Sequence, residues 1–188
     1  CLFCGNSALD RRSKYVPMQE KVYESILSDL ATVNYSGQIR FARYSEPLAE
    51  EHIFRKVAAA KETCPLSKTM IITNGDYLSS KKLKRLKASG LDRLHISVYL
   101  SKKARWTDDA ATKQIDKLLA RLKVTSRRRS RSQGVVQGVI ETDLFPITFN
   151  CVDWGSMGYN RGGMLDLDQD AAFQRTAPCM QVFHNVTI

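Results

Sequence analysis

Thr69-Met70-Ile71-Ile72-Thr73-Asn74-Gly75 is a short apolar run closed by a turn pair. Its length and its bulky aliphatic residues suit a buried strand of a parallel sheet. Ser79 then stands where a helix N-cap belongs. From there to Ser89, Leu83 and Leu86 fall on one side and the lysines on the other, and Gly90 suits the residue just past a helix end. Leu94-His95-Ile96-Ser97-Val98-Tyr99 follows as a second strand. Strand, helix and strand in immediate succession make a right-handed parallel unit.

The same unit recurs on both sides. Upstream, Met18, Val22, Ile26, Leu27 and Leu30 recur at helical spacing between Pro17 and Val33, and Asn34 to Gly37 break the helix. Ile39 to Tyr44 alternates as a strand. Ser45-Glu46-Pro47 closes it, and a helix is expected from Leu48 to Glu62 with Ile53, Val57 and Ala60 on one face. Cys64-Pro65 stops that helix. Downstream, Asp108 or Asp109 is placed to cap a helix to about Val124, with Ile115, Leu118, Leu119 and Leu122 inward. The arginine-serine tract 126–132 reads as a loop or frayed edge, and Gly134–Glu141 and Ile147–Val152 as two more strands. Too few residues separate these two for a crossover helix. The expected fold class is α/β, a partial (βα)6 TIM-like barrel lacking its first strand.

The bulk numbers limit the function. At 188 residues, 43% hydrophobic and 26% charged, the chain has the composition of a soluble globular protein. It contains no run near the roughly 18 apolar residues of a membrane span and no apolar leader, so a cytoplasmic location without membrane attachment is expected. It opens on a cysteine rather than a methionine, as a fragment or a processed chain would. Five cysteines at irregular spacing argue against a disulfide framework and for metal ligation in a reducing compartment. The net charge of +10 favours acidic partners, nucleic acid or acidic peptides. The cations cluster in Lys81–Lys87 and Arg127–Arg131, without the interleaved aromatics that stack bases, so solvated surface is the plainer reading.

Several short motifs carry polar chemistry. Cys1-Leu2-Phe3-Cys4 sets two thiolates two residues apart, which suits half a zinc site, a redox pair or half an iron–sulfur nest. Ser45-Glu46-Pro47, Thr73-Asn74-Gly75 and Ser97 each fall at the end of an expected strand. Singly, they read as a capped turn, a plain turn and a strand serine. Jointly, they line the carboxyl ends of parallel strands, where α/β proteins bind ligands. His95 reads as a satisfied or exposed histidine, Cys64 as a buried helix-end thiol, Cys151 as a core residue, and Trp106 and Trp154 as packing residues.

With these motifs in place the chain resembles a radical S-adenosylmethionine enzyme. That family carries Cys-x-x-x-Cys-x-aromatic-Cys after its first strand, and Cys1-Leu2-Phe3-Cys4 matches the second half. The resemblance implies that Cys1 and Cys4 ligate a [4Fe–4S] cluster with Phe3 beside the cofactor. It also implies reductive cleavage of S-adenosylmethionine to a 5′-deoxyadenosyl radical that abstracts hydrogen from substrate. Tyr44-Ser45-Glu46-Pro47 matches the last two positions of the family's Gly-Gly-Glu-Pro, with Tyr44 and Ser45 in place of its glycines. Glu46 would hold the cofactor's ammonium. Thr73, Asn74, Gly75 and Ser97 would border the cofactor, with Arg105 a further candidate for its carboxylate. No residue is singled out as a catalytic acid or base.

The tail, with Asn160-Arg161-Gly162-Gly163 and Cys179, resembles the entry to a SPASM or twitch extension. Cys179 would then be a ligand of an auxiliary iron–sulfur cluster. The implied division is a core over 1–154 and a linker with the start of the extension over 155–188. The implied partners are a peptide or protein substrate and a reductant such as a flavodoxin or ferredoxin. The alternatives are a radical enzyme acting on RNA or a small metabolite, and a non-catalytic zinc- or nucleic-acid-binding module.

Overall fold

The computed structural model describes residues 18–42, 45–101, 104–154 and 185–187. Its elements are α1 (Glu20–Thr32), β1 (Gln38–Phe41), a 3-10 turn (Pro47–Ala49), α2 (Ile53–Thr63), β2 (Lys68–Thr73), α3 (Ser80–Ala88), β3 (Arg93–Val98), α4 (Asp108–Leu122), β4 (Ser126–Ser132), β5 (Val135–Ile140), β6 (Ile147–Val152) and β7 (Asn185–Thr187). The strands form one sheet in the order β4-β5-β6-β3-β2-β1-β7. β1, β2, β3 and β6 run parallel, β7 pairs in parallel with β1, and β4 and β5 are antiparallel additions beside β6.

Burial alternates along β1, β2, β3, β5 and β6, and one of their faces makes the core. Phe41, Ile71, Leu94, Ile147 and Ile140 form one row across five strands, and all are buried. The helices meet that face through Tyr23 and Leu27 of α1, Val57 and Ala60 of α2, Leu83 and Leu86 of α3, and Ile115, Leu119 and Leu122 of α4. Together these residues form a single cluster, so the described helices lie on one side of the sheet. The lysines of α3 point away from it.

Local chemistry sets the helix ends. Ser79 Oγ accepts from Lys82 N at 3.2 Å. Gly90, at φ +80°, closes α3 with two bonds, Gly90 N to Lys87 O and Leu91 N to Leu86 O. Asn34 and Lys123 stop α1 and α4 in the same way, both at positive φ. The cap of α4 is Thr107, whose Oγ1 accepts from Ala110 N at 3.0 Å, rather than Asp108 or Asp109. Those two aspartates occupy the first turn, where they complement the helix dipole.

Four expectations need correction. The helix expected from Leu48 is a 3-10 turn, a break at residues 50–52, and then α2, because Glu46 caps the short turn and Glu50 ends it. The tract 126–132 is a strand. Gly134, at φ +67°, turns the chain so that Ser126–Ser132 pairs back on β5, with its arginines on an outer edge. Charge on an edge strand discourages further pairing. That hairpin takes the place of further strand–helix units, so the described residues do not complete a (βα)6 count. Finally, Asn185–Thr187, expected inside a separate extension, lies in the core sheet beside β1.

Cys64 and Cys151 are buried free thiols, and burial pushes Cys151 up to about 11. Both fit the structural reading. No helix among the described residues is long and apolar enough to cross a membrane.

Below the sheet's amino ends, Asp92 ties β2 to β3. Its Oδ2 accepts from Thr69 N at 2.8 Å, from Thr69 Oγ1 at 3.1 Å and from Lys61 Nζ at 3.0 Å. Burial pushes its carboxyl up, but the Thr69 and Lys61 bonds outweigh burial and hold it below the ordinary value. The folded value is depressed, so this contribution is complete above about pH 4 and is lost as pH falls through the folded value. Asp92→Asn is expected to lower stability at pH 7 by about 1–3 kcal/mol. It should also flatten the acid limb of a stability–pH curve from urea unfolding. An unchanged acid limb would refute this account.

Candidate functional site

The carboxyl ends of β1, β2 and β3 carry the three motifs, and Glu46 joins the first two. Pro47 fixes the first position of the 3-10 turn and is itself buried. This turns the Glu46 side chain toward the neighbouring strand. Its Oε1 accepts from Leu48 N at 3.1 Å and from Thr73 Oγ1 at 2.6 Å, and its Oε2 accepts from Asn74 N at 2.8 Å. Both oxygens therefore face donors. A carboxylate has about four lone-pair sites, so Oε2, which accepts from Asn74 N, keeps acceptor capacity for a cation.

The Thr73-Asn74-Gly75 turn is held from three sides. Thr73 Oγ1 accepts from Gly75 N at 3.0 Å, and Asn74 Oδ1 accepts from Asp76 N at 2.8 Å. The Arg121 guanidinium of α4 donates to the Gly75 and Asp76 carbonyls. Gly75 sits at φ +82° against Ile96 and Leu118. A cavity of about 400 Å³ opens beside this turn, lined in part by Asn74, Tyr99, Ser101, Lys117 and Arg121. Ser97 is one residue past Ile96, which pairs with Thr73, so it stands level with Asn74. Ser45 is exposed, as is Arg105.

The sheet face away from the helices is mixed. One row of positions across it is Ile72, His95, Thr148, Val139 and Arg128, and the next, nearer the carboxyl ends, holds Ser97, Asn150, Gln137 and Ser130. His95 Nδ1 lies 2.9 Å from Thr148 Oγ1. Burial lowers the His95 imidazole below its ordinary value, partly offset by a hydrogen bond with Asn150.

The structure thus brings Glu46, Thr73, Asn74, Gly75 and Ser97 to one end of the sheet. Cys1, Phe3, Cys4 and Cys179 lie outside the described residues. Among the described residues no cluster of three or more His, Cys, Asp or Glu could hold a metal. Sequence reading passed over Thr148, Asn150 and Gln137 and took His95 singly. Their period-2 alternation with Phe149, Cys151 and Val136 was the available signal, but it required the β3–β6 pairing.

Fold and site define a one-sided, mainly parallel α/β sheet with a carboxylate-centred site at its carboxyl ends. A curated relative, the S-adenosyl-L-methionine-dependent 2-deoxy-scyllo-inosamine dehydrogenase of Niallia circulans, is 27% identical over 106 residues, 56% of this chain and 42% of the relative. The chain therefore spans less than half the length of that relative. The solved structure of BtrN in complex with AdoMet and 2-DOIA shares the fold at TM-score 0.60 and 21% identity, over 100% of this chain and 63% of that one. BtrN in an open conformation matches at TM-score 0.48 and 28% identity, over 55% of this chain and 45% of that one. No family model matches. These findings correct the resemblance to a SPASM or twitch protein: the likeness is to a small-molecule dehydrogenase, and Asn185–Thr187 belongs to the core sheet. Cys179, the expected ligand of an auxiliary cluster, lies outside the described residues.

Proposed function

We propose that this chain is the core of an S-adenosylmethionine-dependent enzyme acting on a small metabolite, with radical cleavage of the cofactor as its chemistry. The observation that carries the reading is the Glu46 carboxylate, bonded to Thr73 and Asn74 across two strand ends with acceptor capacity left over. The similarity to an S-adenosyl-L-methionine-dependent dehydrogenase supports the cofactor, and its small-molecule substrate supports a metabolite in place of a peptide. The one-sided layering supports a partial barrel, with its interior on the face away from the helices.

The residues present fit the cofactor's amino-acid end. Glu46 accepts from the ammonium, Thr73 holds Glu46 in place, and Asn74 and Ser97 border the remainder. Two thiolates, Cys1 and Cys4, are suitable ligands for a [4Fe–4S] cluster. When bound, such a cluster supplies the electron for reductive cleavage of the cofactor, and a flavodoxin- or ferredoxin-like protein would supply it in turn. The test is anaerobic reconstitution of the full-length protein, reduction, and assay for 5′-deoxyadenosine. Product is expected from the native protein and not from Cys4→Ala. A colourless protein that retains zinc and forms no product would overturn the proposal.

A further inference from the structure

Lys82 sits where a helix ordinarily avoids a cation. It is the third residue of α3, and the N-cap hydroxyl of Ser79 accepts from its backbone nitrogen at 3.2 Å. A cap of this kind is usually completed by a glutamate or glutamine at that third position, where the helix dipole favours negative charge. The first turn of α3 holds no acidic residue. Lys81, Lys84 and Lys87 of the same helix are exposed, whereas Lys82 is half-buried.

Two contacts take up its charge. Nζ donates to the Leu48 carbonyl at 2.9 Å and lies 5.4 Å from the centre of the Tyr77 ring. Leu48 belongs to the 3-10 turn that follows β1, and Tyr77 to the loop that follows β2. Those two segments carry Glu46 and the Thr73-Asn74-Gly75 turn. The backbone nitrogen of the same Leu48 donates to Glu46 Oε1 at 3.1 Å. One side chain of α3 thus grips both loops that Glu46 joins through Thr73 and Asn74. Arg121 of α4 does the same for the second loop alone, at the Gly75 and Asp76 carbonyls.

We infer that Lys82 is a positioning residue of the cofactor site: by holding Leu48 and Tyr77 it fixes the direction in which the Glu46 carboxylate points. The inference rests on the reading of Glu46 as the acceptor of the cofactor's ammonium. The charge is unfavourable to α3 itself, so its removal spares the helix and loosens the site. A loss of affinity without a loss of stability is the signature of that role.

The test uses the full-length, cluster-reconstituted protein. It combines calorimetric affinity for S-adenosylmethionine, a thermal unfolding curve, and hydrogen exchange at the Leu48 and Asn74 amides, both of which donate to Glu46. Lys82→Met keeps most of the stem and removes the donor. It is expected to weaken affinity by roughly 4- to 10-fold, the size of one lost hydrogen bond, and to speed exchange at both amides. Its melting temperature should stay within about 2 °C of native, since relief of the helix dipole offsets the lost contact. Lys82→Arg, which can also donate and lie over a ring, should bind within about 2-fold of native. Lys84→Met, an exposed neighbour on α3, should match native in all three measurements. In a Glu46→Gln background, Lys82→Met should cost no further affinity, because the carboxylate it directs is gone.

If Lys82→Met binds like native while Glu46→Gln does not, the positioning role is wrong and the cofactor reading survives. An equal loss with and without the Glu46 carboxylate, or one matched by a lower melting temperature, would make Lys82 a structural residue and overturn the role as well. Absence of Glu46-dependent binding in the native protein would overturn both.

Discussion

Replacing Glu46 by glutamine is expected to weaken S-adenosylmethionine binding by roughly 10- to 150-fold, the size of one lost charge-assisted hydrogen bond. The substitution preserves shape, so the effect isolates chemistry. Both carboxylate oxygens face donors: Leu48 N and Thr73 Oγ1 on one, Asn74 N on the other. A glutamine must turn its NH2 toward one of these sets. Either orientation sets donor against donor and costs about 1–3 kcal/mol. It also removes the negative charge offered to a ligand ammonium. Glu46→Ala should lose binding to a similar degree. Thr73→Val should lose less, because it deletes one support and leaves the carboxylate. The measurement is calorimetric affinity alongside a thermal unfolding curve. A Glu46→Gln protein that is destabilised but binds the cofactor normally would reduce Glu46 to a clasp between strands.

Gly75→Ala is expected to have the largest effect on stability. At φ +82° a residue with a side chain pays about 1–2 kcal/mol for the left-handed conformation. The added Cβ would also stand 2.9 Å from Ile96 Cγ2 and 3.4 Å from Leu118 Cδ1, both in the core. Overpacking of this kind adds about 1–3 kcal/mol. For a chain of this size the sum lowers the melting temperature by roughly 4–20 °C. The loss should extend to the site. Gly75 N donates to Thr73 Oγ1, which bonds Glu46, and Gly75 O receives Arg121. Cofactor affinity should therefore fall along with stability. An alanine variant that melts like the native protein would show that the turn relaxes freely.

What could be read from the sequence followed from how local each signal is. The runs at Ile147–Val152 and Leu83–Gly90 announce a strand and a capped helix without reference to anything distant, and both stand where expected. The gathering of Ser45-Glu46-Pro47, Thr73-Asn74-Gly75 and Ser97 at one end follows from parallel connections alone. The misses all depend on a partner. Ser126–Ser132 has poor strand composition and becomes a strand because Gly134 folds it against β5. Asn185–Thr187 is too short to announce itself and is a strand by virtue of β1. The break before α2 arises because Glu46 is engaged in capping. The pairing of His95 with Thr148 was unreadable because β6 enters the sheet beside β3, skipping β4 and β5.

The separation of the two sheet faces also bears on how such a protein can change. Packing requirements fall on one set of alternate residues, so neighbours in sequence answer to different constraints. Ile96 and Phe149 are fully buried and held by the volume around them, whereas His95, Ser97, Thr148 and Asn150 are half-buried or exposed. Related chains are then expected to preserve every second position of β3 and β6 while exchanging those between. A lineage could thereby alter a handful of side chains on that face with little thermodynamic penalty to the scaffold that bears them.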